Sequence, residues 1–355
     1  MKKIFTVFLA TIVLFSFFAC GSNNDKEELY ILNWGEYMDM DLVDKFEAKY
    51  NCEVIYDEVS SNEEMYTKLK ANTTSYDLMF PSEYMVDKMM QEDLLNKIDK
   101  TAIDFDSFYP KSLEILRTID KNNDYAIPYV WGTLGIMYND SVKDIVVNNG
   151  YKVLFEDFSG IEKIGMYNGA KDSIASALLY LGYDVNTADL DELKAAEEAL
   201  MNMDYEMFGD DNLKTNVVSG NLDVALVYSG DFLTAAYEAI EDGRTIDFGY
   251  YAPDTTNLWV DTIVIPKTSQ NQELANKFIA FICDSENALQ NSYYIGYCPT
   301  IMSAADAMIN DEELEEITTL DSFIPYHEGM NAKIYKYEGQ EHYQMLDDIF
   351  TRIKG

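Results

Sequence analysis

From Leu29 onward, short apolar runs alternate with segments whose apolar residues recur at helical spacing. Leu29 to Trp34 predicts a strand, and Met40 to Tyr50 places Leu42, Val43, Phe46 and Tyr50 on one face of a helix. Glu53 to Tyr56 predicts a second strand. Ser61 followed by Glu64 predicts a capping box that opens a helix with Met65 and Leu69 inside. Tyr76 to Phe80 predicts a third strand stopped by Pro81, and Tyr84 to Leu95 turns helical again. Further on, Val224 to Tyr228 and Leu258 to Ile265 predict strands, while Leu190 to Met201 and Gln272 to Cys283 predict helices. Glu341 to Lys354 predicts a last helix, with Leu346, Ile349, Phe350 and Ile353 at the spacing of one face. Strands alternating with helices predict an α/β fold built on a mostly parallel sheet covered on both faces.

In such sheets ligands bind beyond the carboxyl ends of the strands, where the chain turns into the next helix. Trp34-Gly35-Glu36-Tyr37 and Ser82-Glu83-Tyr84 occupy turns of this kind, and Ser229-Gly230-Asp231 reads as another. Within Leu258 to Ile265, alternation puts Trp259 and Asp261 on one face and Val260 and Thr262 on the other. A tryptophan and a carboxylate sharing a face suit a cation better than a dry core.

The N-terminus reads differently. Lys2 and Lys3 precede an apolar stretch from Ile4 to Ala19, the pattern of a secretory signal peptide and short for a membrane span. It ends at Phe17-Phe18-Ala19-Cys20, followed by Gly21-Ser22-Asn23-Asn24, which resembles the processing box of bacterial lipoproteins. That resemblance implies diacylated Cys20 as the mature N-terminus, residues 21 to 27 as a tether, and an extracytoplasmic, periplasmic or cell-surface protein anchored to a membrane.

Charge narrows the partners. The 355 residues carry 26 basic and 63 acidic side chains; losing Lys2 and Lys3 leaves 24 against 63, a net charge of −39. With 27 Tyr and 18 Phe the chain is not a disordered acidic one. So large an acidic excess works against nucleic acid and favours a cationic partner, although most of the acids serve as solvated surface. Once Cys20 is set aside, Cys52, Cys283 and Cys298 allow at most one disulfide, and their spacing matches no metal or redox motif. There is no G-x-G-x-x-G, Walker A loop, G-x-S-x-G, H-E-x-x-H or C-x-x-C, so no cofactor, metal site or catalytic residue is indicated. His327 and His342 read as surface or helix histidines.

The strings LNWGEY (32 to 37), YDLMFPSEYMVDKM (76 to 89), YAIPYVWGT (125 to 133), LGYDVNT (181 to 187), LWVDTIVIPK (258 to 267) and IGYCPT (295 to 300) together resemble the spermidine/putrescine-binding proteins of bacterial polyamine ABC transporters. The likeness runs from about Leu29 to the C-terminus. It implies a two-lobed periplasmic-binding-protein-like fold that closes over a polyamine and delivers it to a membrane permease, without enzymatic activity and as a monomer. Family acids hold the ammonium groups and family aromatics hold the methylenes. Carried over by motif, Glu36, Asp172 and Asp261 take acidic positions, and Tyr37, Tyr84, Tyr228, Trp259 and Tyr297 take aromatic ones. Trp34 and Ser82 complete the set, Gly35 adjoins it, and Asp231 is a source of compensating charge whose other reading is a helix cap. A fourth family acid falls on Gly169, beside Asn168, and is missing, which tilts the choice between putrescine and spermidine toward putrescine.

The resemblance divides the chain into a first lobe of residues 28–130 and 258–306 and a second of 131–257 and 307–355. Crossings near Pro128 and between Pro253 and Leu258 would form the hinge. Two other readings stay open: the same fold serving another small organic cation or a sugar, and a glycosidase using paired carboxylates.

Overall fold

A computed structural model describes residues 26–312 and 323–355. The apolar N-terminal stretch and Cys20 lie outside the described residues. The first third runs β1 (Glu27–Trp34), α1 (Met40–Tyr50), β2 (Cys52–Val59), α2 (Asn62–Ala71), β3 (Leu78–Met79), α3 (Glu83–Gln91), β4 (Leu95–Asn96) and α4 (Pro110–Leu116). The middle runs β5 (Ala126–Asn139), α5 (Lys143–Asn149), β6 (Ile164–Tyr167), α6 (Ala170–Leu181), α7 (Leu190–Met201), β7 (Met207–Gly209), α8 (Asn212–Val218), β8 (Val224–Tyr228) and α9 (Ser229–Glu241). The remainder is β9 (Phe248–Tyr251), β10 (Thr255–Pro266), α10 (Gln272–Ile282), α11 (Ser285–Ile295), β11 (Cys298–Pro299), α12 (Met302–Ile309), β12 (Asn331–Lys333) and a C-terminal helix, Gln340–Lys354.

The strands join in the order β2-β1-β3-β10-β5-β8-β6-β7. At one end β2, β1 and β3 are parallel, and at the other β8, β6 and β7 are parallel. Two long strands, β5 and β10, run antiparallel through the middle and belong to both halves. The first part of β5 pairs with β10 and β11, whereas Leu134 to Asn139 pair with β8 and β9. This is a two-lobed α/β architecture. Separate apolar clusters support the two sides: Leu29, Ile31, Phe46, Phe80 and Phe278 pack together in the first lobe, and Leu134, Met166, Leu178, Leu226 and Leu346 in the second. The C-terminal helix packs on α6 and α7.

Local chemistry explains the element ends. Asp39 caps α1 by accepting from the Asp41 N–H at 2.9 Å, and Asn51 ends it in a left-handed conformation. Ser61 caps α2 through the Glu64 N–H at 3.1 Å, but the returning Glu64 carboxylate takes the N–H and hydroxyl of Ser60 instead of the Ser61 N–H. Several sequence expectations need correction. The helix expected to reach Leu95 stops at Gln91, because Asp93 turns left-handed (φ 55°) and leads the chain into β4. The Tyr76 to Phe80 strand shrinks to Leu78–Met79. Ser229-Gly230-Asp231 is the first turn of α9, since the Asp231 carboxylate accepts from the Tyr228 N–H at 3.0 Å and closes a capping box.

Cys52, Cys283 and Cys298 are free thiols. No described helix is long and apolar enough to cross a membrane.

Candidate functional site

The carboxyl ends of the parallel strands on both sides open onto one cavity of about 960 Å³. From the first lobe come the Trp34–Tyr37 turn after β1 and the Ser82–Tyr84 start of α3. From the second come Tyr167 to Asp172 after β6, Asp210 and Asp211 after β7, and Tyr228 at the end of β8. Trp259 and Asp261 on the crossing strand β10 and Tyr297 before β11 complete the centre.

A register shift in β10 aims Asp261. Trp259 and Val260 pair with Gly132 and Trp131 of β5, then the register slips, and Thr262 faces Pro128. Proline offers no N–H to the ladder there, and the Thr262 N–H donates to the Pro81 carbonyl at 3.0 Å. Asp261 bridges to Ser82 across this irregularity. Its side chain is only 7% exposed and accepts from the Tyr37 hydroxyl at 2.8 Å. Ser82 in turn is held by Asn62, whose amide donates to the serine hydroxyl and accepts from its N–H, each at 3.0 Å.

On the far side Asp172, in the first turn of α6, accepts from the hydroxyls of Tyr228 at 2.7 Å and Tyr335 at 3.2 Å. Between the two carboxylates runs a row of edge-to-face rings. Tyr37 and Tyr297 are 5.4 Å apart at their centroids, Tyr297 and Trp259 5.5 Å, and Trp259 and Tyr228 5.8 Å. Two glycines make room for it: a Cβ on Gly132 would lie 2.4 Å from the Trp259 ring, and one on Gly230 would lie 2.1 Å from the Tyr297 ring. Trp34 is fixed by its indole N–H donating to the Phe80 carbonyl at 2.7 Å. Glu36 adopts a left-handed backbone (φ 54°), uncommon for a residue with a side chain, and stands exposed at the cavity wall.

The electrostatics are those of a cavity short of positive charge. Burial pushes the Asp261 carboxyl up to about 6 despite the hydrogen bonds from Ser82 and Tyr37 that oppose it. Glu83, fully buried at the start of α3, is pushed up to about 8 by burial, with nearby Asp261 adding to the shift. One of its oxygens accepts from the Val260 N–H at 3.2 Å; the other has no hydrogen-bond partner. Burial also raises Asp172, against the pull of the Tyr228 hydrogen bond and the Lys171 charge. Lys171 is brought down to about 8 by burial, while Glu83, Asp172 and Glu63 work to keep its proton on.

Trp34, Glu36, Tyr37, Ser82, Tyr84, Asp172, Tyr228, Trp259, Asp261, Tyr297 and the adjoining Gly35 all line this cavity. Asp231 does not. It is 6% exposed, spends its carboxylate on the Tyr228 N–H, and has Lys214 at 3.9 Å, so the expectation of a ligand-facing charge there is corrected to a helix cap. Glu83 lay in a turn marked by the sequence but was not given a ligand role, and Glu63, Lys171, Asp210, Asp211 and Tyr335 were not expected in the cavity they line. Asp210 and Asp211 line the same cavity as Gly169 and follow a three-residue strand, β7, too short to be read from periodicity.

Two α/β lobes joined by crossing strands, with a lined cavity between them, define a solute-binding protein. Residues 41–317 match the family model of bacterial extracellular solute-binding proteins. The chain is 32% identical over 323 residues to the spermidine/putrescine-binding periplasmic protein of Escherichia coli, covering 90% of each chain. Among solved structures, the spermidine/putrescine ABC transporter substrate-binding protein PotD of Streptococcus pneumoniae aligns with a TM-score of 0.76 and 31% identity over 92% of this chain and 98% of that one. The Tp0655 lipoprotein of Treponema pallidum aligns with a TM-score of 0.76 and 25% identity over 92% and 99%. The chain belongs to the bacterial extracellular solute-binding proteins, a family of receptors and not of enzymes, which places it outside the cytoplasm.

Proposed function

We propose that this protein captures a polyamine between its lobes and delivers it to an ABC permease. The observation that carries the reading is the row Tyr37–Tyr297–Trp259–Tyr228, with Asp261 at one end and Asp172 at the other. A polyamine is a row of ammonium groups joined by methylenes, so its site has to replace water around each charge and cover the hydrocarbon between. An ammonium 4 Å from a carboxylate gains roughly 4 kcal/mol at an effective dielectric near 20, before desolvation is subtracted. Each buried methylene contributes about 0.8 kcal/mol, and a ring face beside a cation adds about 0.5 to 2 kcal/mol. Micromolar affinity needs only about −8 kcal/mol net, so two carboxylates and a ring row suffice after ordering costs.

In this reading Asp261 and Asp172 receive the terminal ammoniums, Trp259, Tyr228 and Tyr297 cover the methylenes, and Glu36 supplies negative charge at the wall. The lobes close about the two crossings in β5 and β10, near Thr133 and Leu258, where β5 passes from one set of strand partners to the other. Support for polyamine chemistry comes from the names of the relatives and from the charge balance of the cavity. Isothermal calorimetry with putrescine, spermidine and glucose tests it: saturable heat with a polyamine and none with glucose is expected, and heat from glucose alone overturns it. We also propose diacylation of Cys20, so that Cys20→Ala releases the exported protein from membranes into the soluble fraction; a variant that stays membrane-bound contradicts the anchor.

A further inference from the structure

The proposed function leaves one cavity group unused. Lys171 is a cation in a cleft otherwise rich in acids, and it sits next to Asp172 in the first turn of α6. Its Nζ lies 4.1 Å from the ring centroid of Tyr84, 4.7 Å from that of Tyr335 and 5.2 Å from that of Tyr343. Its hydrogen bond, at 3.4 Å, goes to the Lys336 carbonyl. Among the described residues its close partners are therefore rings and a backbone oxygen, with no carboxylate in ion-pair contact; Glu83, Asp172 and Glu63 act on it at longer range. This is the chemistry the site offers an ammonium ligand, already occupied by the chain's own ammonium.

The placement matters because the two carboxylates have definite ends. At the Asp261 end Tyr37 donates to the carboxylate and packs edge-on against buried Tyr129 at 5.8 Å. Past Asp172 the next ring wall is Tyr335, and Tyr335 meets Tyr84 at 6.4 Å, with Lys171 over both. In the polyamine reading the two ammoniums of a diamine rest at Asp261 and Asp172. A third ammonium carried past Asp172 meets a fixed like charge where it needs a ring face.

We propose that Lys171 sets the length of amine this receptor accepts: its ammonium fills the Tyr84–Tyr335–Tyr343 ring cluster beyond Asp172 and makes the cleft selective for a diamine over a triamine. Selectivity of this kind rests on a built-in repulsion as much as on new attraction. The inference depends on the polyamine reading above and goes further by assigning the length preference to one side chain.

Calorimetric dissociation constants for putrescine and spermidine, measured on the wild type, Lys171→Met and Lys171→Arg, test it. Wild type is expected to favour putrescine at least tenfold. Lys171→Met, which keeps the stem and removes the charge, is expected to shift the ratio at least tenfold toward spermidine, and Lys171→Arg to keep the diamine preference. A merely structural lysine would weaken both ligands together and leave the ratio unchanged, and that result overturns the proposal. So does a wild type that binds spermidine as well as or better than putrescine, whether or not the variants fold. A wild type that binds neither amine strikes the polyamine reading itself, and this inference with it; binding with an unmoved ratio strikes the inference alone.

Discussion

The two carboxylate ends of the cleft solve one problem in different ways. At the Asp261 end two acids, Asp261 and Glu83, are packed near each other without a cation in contact, and both hold their protons far above the ordinary carboxylate range. At the Asp172 end a single oxygen takes two tyrosine hydroxyls and the next residue is Lys171, so positive charge is already supplied. The Asp261 carboxylate is thus poised to gain most from an arriving ammonium, because hydrogen bonds from Ser82 and Tyr37 are what oppose its burial, whereas the Lys171 charge acts on Asp172 and on Glu83. The second is partly neutralised before any ligand comes.

The largest effect follows directly. Asp261→Asn is expected to weaken putrescine binding by about 3 kcal/mol, on the order of 100-fold, whereas Asp172→Asn costs about 1.4 kcal/mol, on the order of tenfold. Calorimetry on both variants checks the order, and equal losses would remove the asymmetry.

A second effect is pH dependence. An ammonium favours the charged carboxylates, so binding releases protons, and affinity should rise as pH climbs through the values near 6 for Asp261 and 8 for Glu83. Observed binding heats should therefore depend on the ionisation heat of the buffer between pH 6 and 8, and Glu83→Gln should reduce the part near 8, where Lys171 also titrates. For the empty protein the sign is opposite. The folded-state value of Glu83 is raised from 4.5 to about 8, so its protonated form contributes stability that is complete below 4.5 and is lost as pH rises through 8. Glu83→Gln is expected to stabilise the ligand-free chain by on the order of 2 to 4 kcal/mol at pH 8 relative to its effect at pH 4, as read by urea unfolding at the two pH values. No pH dependence of the difference would show that Glu83 does not carry this burial cost.

The smallest effect belongs to Asp231, outside the cavity. Asp231→Ala should cost about 1 kcal/mol of stability through the lost cap and leave the putrescine dissociation constant within about twofold. A tenfold loss of affinity would put Asp231 back among the ligand contacts.

The same contrast marks what the sequence made legible. The half-covered helix α1 and the C-terminal helix show their periodicity and β1 shows as an apolar run; the exit turns of β1 and β3 marked where a ligand would lie, and the family resemblance singled out Tyr37, Ser82 and Tyr84 there. Asp261 stood out because a carboxylate inside an apolar strand is out of place. The crossing strand β5 was not visible as an element, since all but its last residue are buried and a strand covered on both faces has no alternation to read. Glu83 and Lys171 were hidden for another reason. Each is a charged residue on the first turn of a helix, a place where charges are usually solvated, and only tertiary packing buries them, Val260 of β10 against Glu83 and the Tyr84, Tyr335 and Tyr343 rings against Lys171. Asp231 misled through position: it follows a strand, but the helix begins immediately and takes its carboxylate.

In the proposed complex one ammonium rests against Asp261 and another against Asp172, with the chain between them on the Tyr297, Trp259 and Tyr228 rings. A crystal structure with putrescine bound tests it most directly. One nitrogen is expected within hydrogen-bond distance of each carboxylate, with the methylenes against those rings; putrescine nitrogens contacting neither Asp261 nor Asp172 would overturn the polyamine reading of this cleft.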